Sequence, residues 1–402
     1  MADLAPQPDF TFTLGPPPEV LDYLKAKKLT PSFDYRDVWG EEHVAAFTVA
    51  KATTLDVLST FHEAVVKAEA EGVAWGAFKR DLQPALEKLG WWGIREQTDP
   101  KTGEKRPVQL GSPHRLRVIY RTNLAVAHSA GRWQRIDRTQ SSFPYLEYRL
   151  GPSVHHRPQH AAWAGTVLPV NDPFWQTHFT PNGWGCKCWV RQLSKADLGG
   201  REPDPSPEVK YRAWKNTRTG ETLQVPVGID PGWDYNPGMA RMERLRAAVT
   251  EKLNTSPAAL AAPTARALVQ SDAFLRWLKQ PKADYPVAVL DEELARLVQA
   301  KRQAVLLSAE TMDKQRRHHP ELEPEEYQLI PDVIERGEVM PQGADKLVFF
   351  HTPTRLYKAV VKATQNREEL FVNDFHRTDE RERLRMLKKA KGKVLREEKP
   401  KE

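Results

Sequence analysis

"HFTPNGWGCKCWV", residues 178–190, holds both cysteines of a 402-residue chain with one lysine between them. No hydrophobic period of 2 or 3.6 runs through it, so it reads neither as strand nor as helix. It closes a longer irregular segment, 153–190, rich in aromatic residues, Pro and Gly, that also carries His155, His156, His160 and His178. A segment without periodic apolar burial needs another source of order, and a bound metal is one.

Two cysteines in so long a chain exclude a disulfide framework. A Cys186–Cys188 bridge would close too tight a ring for normal disulfide geometry. That leaves two free thiols in a Trp-rich core, a thiol nucleophile whose base nothing identifies, or two ligands of one metal. The thiolates of Cys186 and Cys188 with the imidazole of His160 suit tetrahedral zinc. Gly183 and Gly185 give the backbone freedom to bring both sulfurs to one side. The fourth ligand is His178, His156, Asp172 or water, with His178 preferred because it lies on the same approach to the turn. No HExxH-like carboxylate accompanies the ligands, so the zinc is expected to be structural.

Working outward, the length suggests two or three domains. Hydrophobic residues are 40% of the chain and include 12 Trp, enough for real cores, while 32 Pro call for extended connections. No run approaches the roughly 20 apolar residues of a membrane span. The first twenty residues lack the basic start and apolar run of a signal peptide, which predicts a protein made and kept in the cytoplasm. A net charge of +7 suits a nucleic-acid neighbour but is too diffuse to establish one.

Helical spacing predicts one long helix over 41–70, a second over 73–92 kinked or restarted at Pro84, and a third over 114–140. A polar loop separates the last two at 99–113. The third helix is rich in arginine: Arg115, Arg117, Arg121, Arg132 and Arg135 lie mostly off its apolar face. A strand is expected at 145–152. Residues 199–240 read as linker with a small hairpin that Trp214 and Trp233 tack onto the first domain.

At these residues the sequence resembles a known family. "RTNLAVAHSAGRW" (121–133), Arg157, His160 and Gly165, and "NDPFWQTHFTPNGWGCKC" (171–188) are similar to the minor head, or head morphogenesis, proteins typified by protein F of bacteriophage Mu. The resemblance covers about residues 40–193. It departs at Thr180, where a second Pro is usual, and at Lys187, where Arg is usual. It implies a tailed-phage or prophage protein of the virion head, present in few copies, whose His and Cys bind metal. The implied partners are the portal and the major capsid or scaffold protein. In that setting the arginine helix becomes a candidate surface for packaged DNA or for an acidic partner.

After a compositional change near 283 the pattern becomes α+β: a strand at 303–308, helices over 309–319 and 323–337, then strands at 346–351, 356–364 and 369–375. This layout resembles the barnase–EndoU–colicin–RelE type of nuclease found in phage proteins. Metal-independent RNA cleavage needs an acid, a base and a cation for the phosphorane. Lys314 and His318 share a helix face at i, i+4, Lys362 ends a strand, and His376 follows on the next; these four are the candidate catalytic residues. The expected architecture is α+β and multidomain, with a mainly helical N-terminal module carrying the irregular Cys/His loop and a small C-terminal domain built on an antiparallel sheet. The expected boundaries are an arm at 1–40, a head-protein domain at 41–198, a linker with a hairpin and helices at 199–282, a ribonuclease-like domain at 283–378 and a basic tail at 379–402. The expected function is head assembly or DNA packaging at the portal or capsid interior. The alternative is a phage-delivered ribonuclease acting on RNA.

Overall fold

The computed structural model describes residues 15–400, in two compact units that divide between Met242 and Glu243. The signal-peptide reading of the N-terminus falls largely on residues outside those described. The architecture is α+β and multidomain, as the sequence predicts.

The first unit is built on helices α1 (Pro18–Lys25), α2 (Leu55–Ala70), α3 (Trp75–Lys88) and α4 (Pro113–Thr139). α2 begins later than its periodicity predicts. Residues 40–54 instead form a short 3-10 turn and the strand β2 (Ala46–Phe47), which pairs in parallel with the upstream β1 (Lys28–Leu29). Burial of Phe47, Val49 and Ala52 holds that path, and Thr54 in extended conformation starts the helix. α3 continues through Pro84 without ending. The predicted polar loop before α4 is a hairpin, β3 (Ile94–Thr98) with β4 (Lys105–Gln109). α4 begins at the Ser112 cap, which accepts from the Arg115 N–H, with Pro113 in the first turn.

α4 organises both cores of the unit. Leu116, Val126, Ala127 and Ala130 pack with α1–α3, and Trp133 and Ile136 pack into a second core. That second core lies on a three-stranded sheet of β5 (Tyr145–Arg149), β6 (Val167–Pro169) and β7 (Trp189–Leu193), ordered β6-β5-β7. Two short helices, α5 (Pro158–Trp163) and α6 (Phe174–Thr177), lie between the strands. Phe174, Trp175 and Phe179 are almost fully buried there. The irregular segment therefore has apolar order of its own. Its buried residues come from turns and short elements, which leave no period to read.

The segment 199–282, expected to be a linker with a hairpin and helices, holds those elements and is divided between the two units. The hairpin of β8 (Tyr211–Lys215) and β9 (Thr222–Pro226) lies in the first unit, where Trp214 stacks on Trp39 at 5.2 Å and Trp233 is buried. α7 (Pro237–Thr255) carries the chain into the second unit. There α8 (Ala258–Val269) and α9 (Asp272–Lys279) contribute Val269, Phe274 and Trp277 to the core.

The second unit is a six-stranded sheet of β10 (Tyr285–Val289), β11 (Ala304–Leu307), β12 (Glu338–Gln342), β13 (Asp345–His351), β14 (Leu356–Ala363) and β15 (Leu370–Thr378). The order is β10-β11-β15-β14-β13-β12, antiparallel except for the parallel pair β11–β15. The helices α10 (Glu292–Val298), α11 (Ala309–His318) and α12 (Ile330–Arg336) connect the earlier strands. The expected tail is an ordered helix, α13 (Glu380–Lys389), whose Met386 joins Met340, Leu347 and Phe349 on one sheet face.

Candidate metal centre

His160, Cys186 and Cys188 converge in the first unit. His160 Nδ1 lies 3.5 Å from Cys188 Sγ and 3.9 Å from Cys186 Sγ. With Zn–S near 2.3 Å and Zn–N near 2.0–2.1 Å, tetrahedral ligand atoms lie roughly 3.6 Å apart. The observed spacings bracket that value. On the far side of the ring, Nε2 lies 2.9 Å from the Gly228 carbonyl. A carbonyl can only accept, so Nε2 carries the hydrogen and Nδ1 presents its lone pair to the sulfurs. Gly228 has φ +97°, and a Cβ there would collide with Gln159 and Trp163, so glycine is required for this approach.

The cysteine turn is held from outside the cluster. Asp230 accepts from the Trp184 N–H at 2.8 Å and pairs with Arg157 at 2.8 Å, while Arg157 also donates to the Trp184 carbonyl. A Cβ on Gly183 would collide with both charged groups. Asn182 is fully buried and accepts from the Tyr148 hydroxyl at 2.9 Å. The Cys186 thiol hydrogen-bonds to the Cys188 sulfur, a contact that outweighs burial and holds the Cys188 thiol below its ordinary value. The same pairing, with burial, pushes Cys186 up.

His178, His156 and Asp172 are not part of this group. His178 is 2% exposed, stacked on Phe174 at 4.1 Å and bonded to Thr177; burial lowers it to about 4, so the ring is neutral. Asp172 accepts from the Phe174 N–H and the Ser206 hydroxyl. His156 is exposed. Tyr148, Gly228 and Asp230 were not legible as site residues, because each lies far along the chain from the cysteines or belongs to a regular element.

The five candidate arginines of α4 do not share one surface. Arg115 donates to the carbonyls of Gln109, Leu110 and Ala50 and lies over Trp91; burial lowers it to about 10. Burial also lowers Arg132. Arg135 is paired with Glu19 at 3.9 Å. Arg117, over Trp75, and Arg121, beside the cysteine turn, are the exposed pair.

In the second unit, Lys314 and Lys362 line one cleft of about 500 Å³ with Ser308, Thr311 and Asn373. His318 is exposed. His376 pairs across the sheet with Lys358, not Lys362, and faces Asp374 and His319. The four residues expected to be catalytic are therefore not brought to one point.

Residues 63–191 match the family model described as Phage Mu protein F like protein. Over 289 residues the chain is 36% identical to the putative capsid assembly protein F of Escherichia phage Mu, covering 66% of this chain and 65% of that one. Over 214 residues it is 35% identical to the Mu-like prophage FluMu F protein of Haemophilus influenzae, covering 49% of this chain and 50% of that one. The chain thus spans about two thirds and one half of the lengths of these relatives. No solved structure matches it. Among the described residues no helix is long and apolar enough to cross a membrane. The stretch that matches the Mu F-like family model, 63–191, holds α4 and the whole Cys/His cluster, and the relatives it is similar to include a putative capsid assembly protein of a phage.

Proposed function

We propose that the chain is a minor head protein of a tailed phage or prophage, acting in head assembly by docking its first unit on a portal or capsid protein. The observation that carries this is the Mu F-like match over the stretch containing the cysteine turn. The turn, its neighbouring strand and the loop between β5 and α5 also present apolar side chains to solvent: Trp184 is 44% exposed, Trp189 38% and Val154 91%. Exposed aromatics on a fixed loop suit a protein interface. Zinc held by His160, Cys186 and Cys188 would fix that loop, with water or a partner's group in the fourth position. When bound, zinc would supply structural cross-linking of α5 to the cysteine turn, while Gly228 and Tyr148 orient the ligands.

The test is incorporation into particles. Trp189→Ser, a surface change, should leave the purified chain folded and lower its copy number in assembled heads at least fivefold. Undiminished incorporation of this variant and of Val154→Asp would remove the docking reading.

A second reading, ribonuclease activity in the second unit, is supported by the cleft shared by Lys314 and Lys362. Purified full-length chain should then cleave RNA, and Lys362→Ala should slow cleavage by about 10²-fold, the scale of losing a charge-stabilising group. A folded chain inert toward several RNAs eliminates it.

A further inference from the structure

The strand β15 carries a second convergence of ligand-type side chains. Its pairing with β14 shifts between Val360 and Val361, whose partners are Asp374 and Val372, so Asn373 is an extra residue. Such a bulge re-aims the side chains that follow it. Leu370, Val372 and Phe375 stay in the core, and Asp374 and His376 come to the opposite side. β11 pairs with only Leu370 and Phe371 of β15, and the chain then turns into α11. The end of that helix supplies Gln315 and its C-terminal cap, His319, to the later half of β15.

The resulting distances are those of ligands around one ion. Asp374 Oδ2 lies 3.2 Å from His376 Nδ1, and Asp374 Oδ1 lies 3.6 Å from His319 Nε2. Nitrogen and oxygen atoms near 2.0–2.1 Å from a tetrahedral zinc lie roughly 3.3 Å apart. Among the described residues, this group and the cysteine cluster are the two that bring three such ligand atoms within 4.8 Å of one another. Two details favour a metal over a simple ion pair. His376 Nδ1 is buried and is held against the Asp374 carboxylate, a second ligand-type group, at 3.2 Å. The rings of His319 and His376 are also stacked, 4.4 Å apart and 9° from parallel, a poor arrangement for two imidazolium cations and an acceptable one for two neutral ligands.

Groups around the cluster hold it in place. Gln315, 1% exposed, donates to Asp374 Oδ1 at 2.9 Å and fixes the carboxylate. The second nitrogen of His319 lies 3.5 Å from Glu321, the carboxylate–histidine pairing common behind metal ligands.

We propose that His319, Asp374 and His376 bind a divalent transition-metal ion of the zinc class. Two imidazoles and one carboxylate match the ligand preferences of such ions, and three protein ligands leave coordination positions open. This assignment takes His376 out of the acid–base role that its sequence position suggested. It stands independently of the cysteine cluster.

The test uses the full-length chain, freed of metal and titrated with cobalt(II) and then zinc. A sulfur-to-cobalt charge-transfer band marks binding at Cys186 and Cys188. The proposal expects a further equivalent without that band, lost in Asp374→Asn and in His376→Gln and kept in His318→Ala. Absence of such an equivalent in the wild-type chain, or its survival in both ligand variants, overturns the proposal. If the ligand variants fold poorly, X-ray absorption of the zinc-saturated wild-type chain decides. A zinc population with only nitrogen and oxygen neighbours supports the second site, and zinc bound solely with sulfur rules it out.

Discussion

The two clusters place similar chemistry on opposite kinds of backbone. In the first unit, His160, Cys186 and Cys188 sit on a short helix and a turn that are tied by Asp230, Arg157 and the Gly228 carbonyl. In the second, Asp374 and His376 sit on a strand just past a one-residue bulge, held by ladder bonds and a full core beneath. Polar contacts therefore maintain the geometry of the first cluster, and sheet pairing maintains that of the second. Removing metal should disorganise the first locally and leave the backbone of the second in place.

The largest expected effect tests that contrast directly. Chelation, or Cys188→Ser, should release zinc from the first unit and open residues 182–190 to protease, because structural zinc contributes on the order of 10 kcal/mol to ordering its ligands. Residues 285–378 should keep their hydrogen-exchange protection under the same treatment. Equal loss of protection in both units would erase the distinction.

Next in size is Arg218→Ala in the first unit. Arg218, with a side chain 6% exposed, joins Asp99 and pairs with Asp37 at 2.7 Å, tying the β8–β9 hairpin to the β3–β4 loop. Stranding two carboxylates should cost roughly 3–5 kcal/mol, read as a lowered melting midpoint of that unit. The counterpart in the second unit is Glu326, which accepts from Tyr357 at 2.6 Å and pairs with Arg355 and Arg377. Burial acts to raise its carboxyl, but the bonds from Arg377 and Tyr357 outweigh this and hold it at about 2. A depressed carboxylate stabilises the fold fully above its unfolded value of about 4.3 and loses that contribution as pH falls toward 2. Glu326→Gln should cost about 2–3 kcal/mol at neutral pH and flatten this acid dependence of the second unit; an unchanged acid profile would remove Glu326 as its source. The smallest effect is expected at Arg117, an exposed residue of α4: its replacement by Ala should change stability by less than about 0.5 kcal/mol, whereas Arg115→Ala removes three carbonyl contacts and should cost clearly more.

The sequence was most legible where periodicity was strong. α4 was expected over 114–140 and runs Pro113–Thr139, and the strands β13, β14 and β15 fall where alternation and β-branched residues placed them. It was least legible at 41–54, where helical spacing continued across residues that the core holds in another path. β10 was missed because every residue of "YPVAV" is buried, which removes alternation as a signal. The arginine helix looked like one basic face because spacing along a helix does not reveal which guanidinium groups find carbonyls or carboxylates from other elements.

By itself, the sequence determined the chemistry available: two thiols one residue apart, a histidine 26 residues before them, and the Mu F-like text around them. Composition and local spacing put His160, Cys186 and Cys188 forward as a candidate group, and the structure brings those three side chains together. Only the tertiary structure decided which further groups meet. It set His178 against Phe174 instead of the sulfurs, brought Gly228 behind His160, and used a one-residue bulge to turn Asp374 and His376 toward His319. These outcomes depend on packing between segments distant in sequence and on a register shift, and neither leaves a periodic trace in the chain.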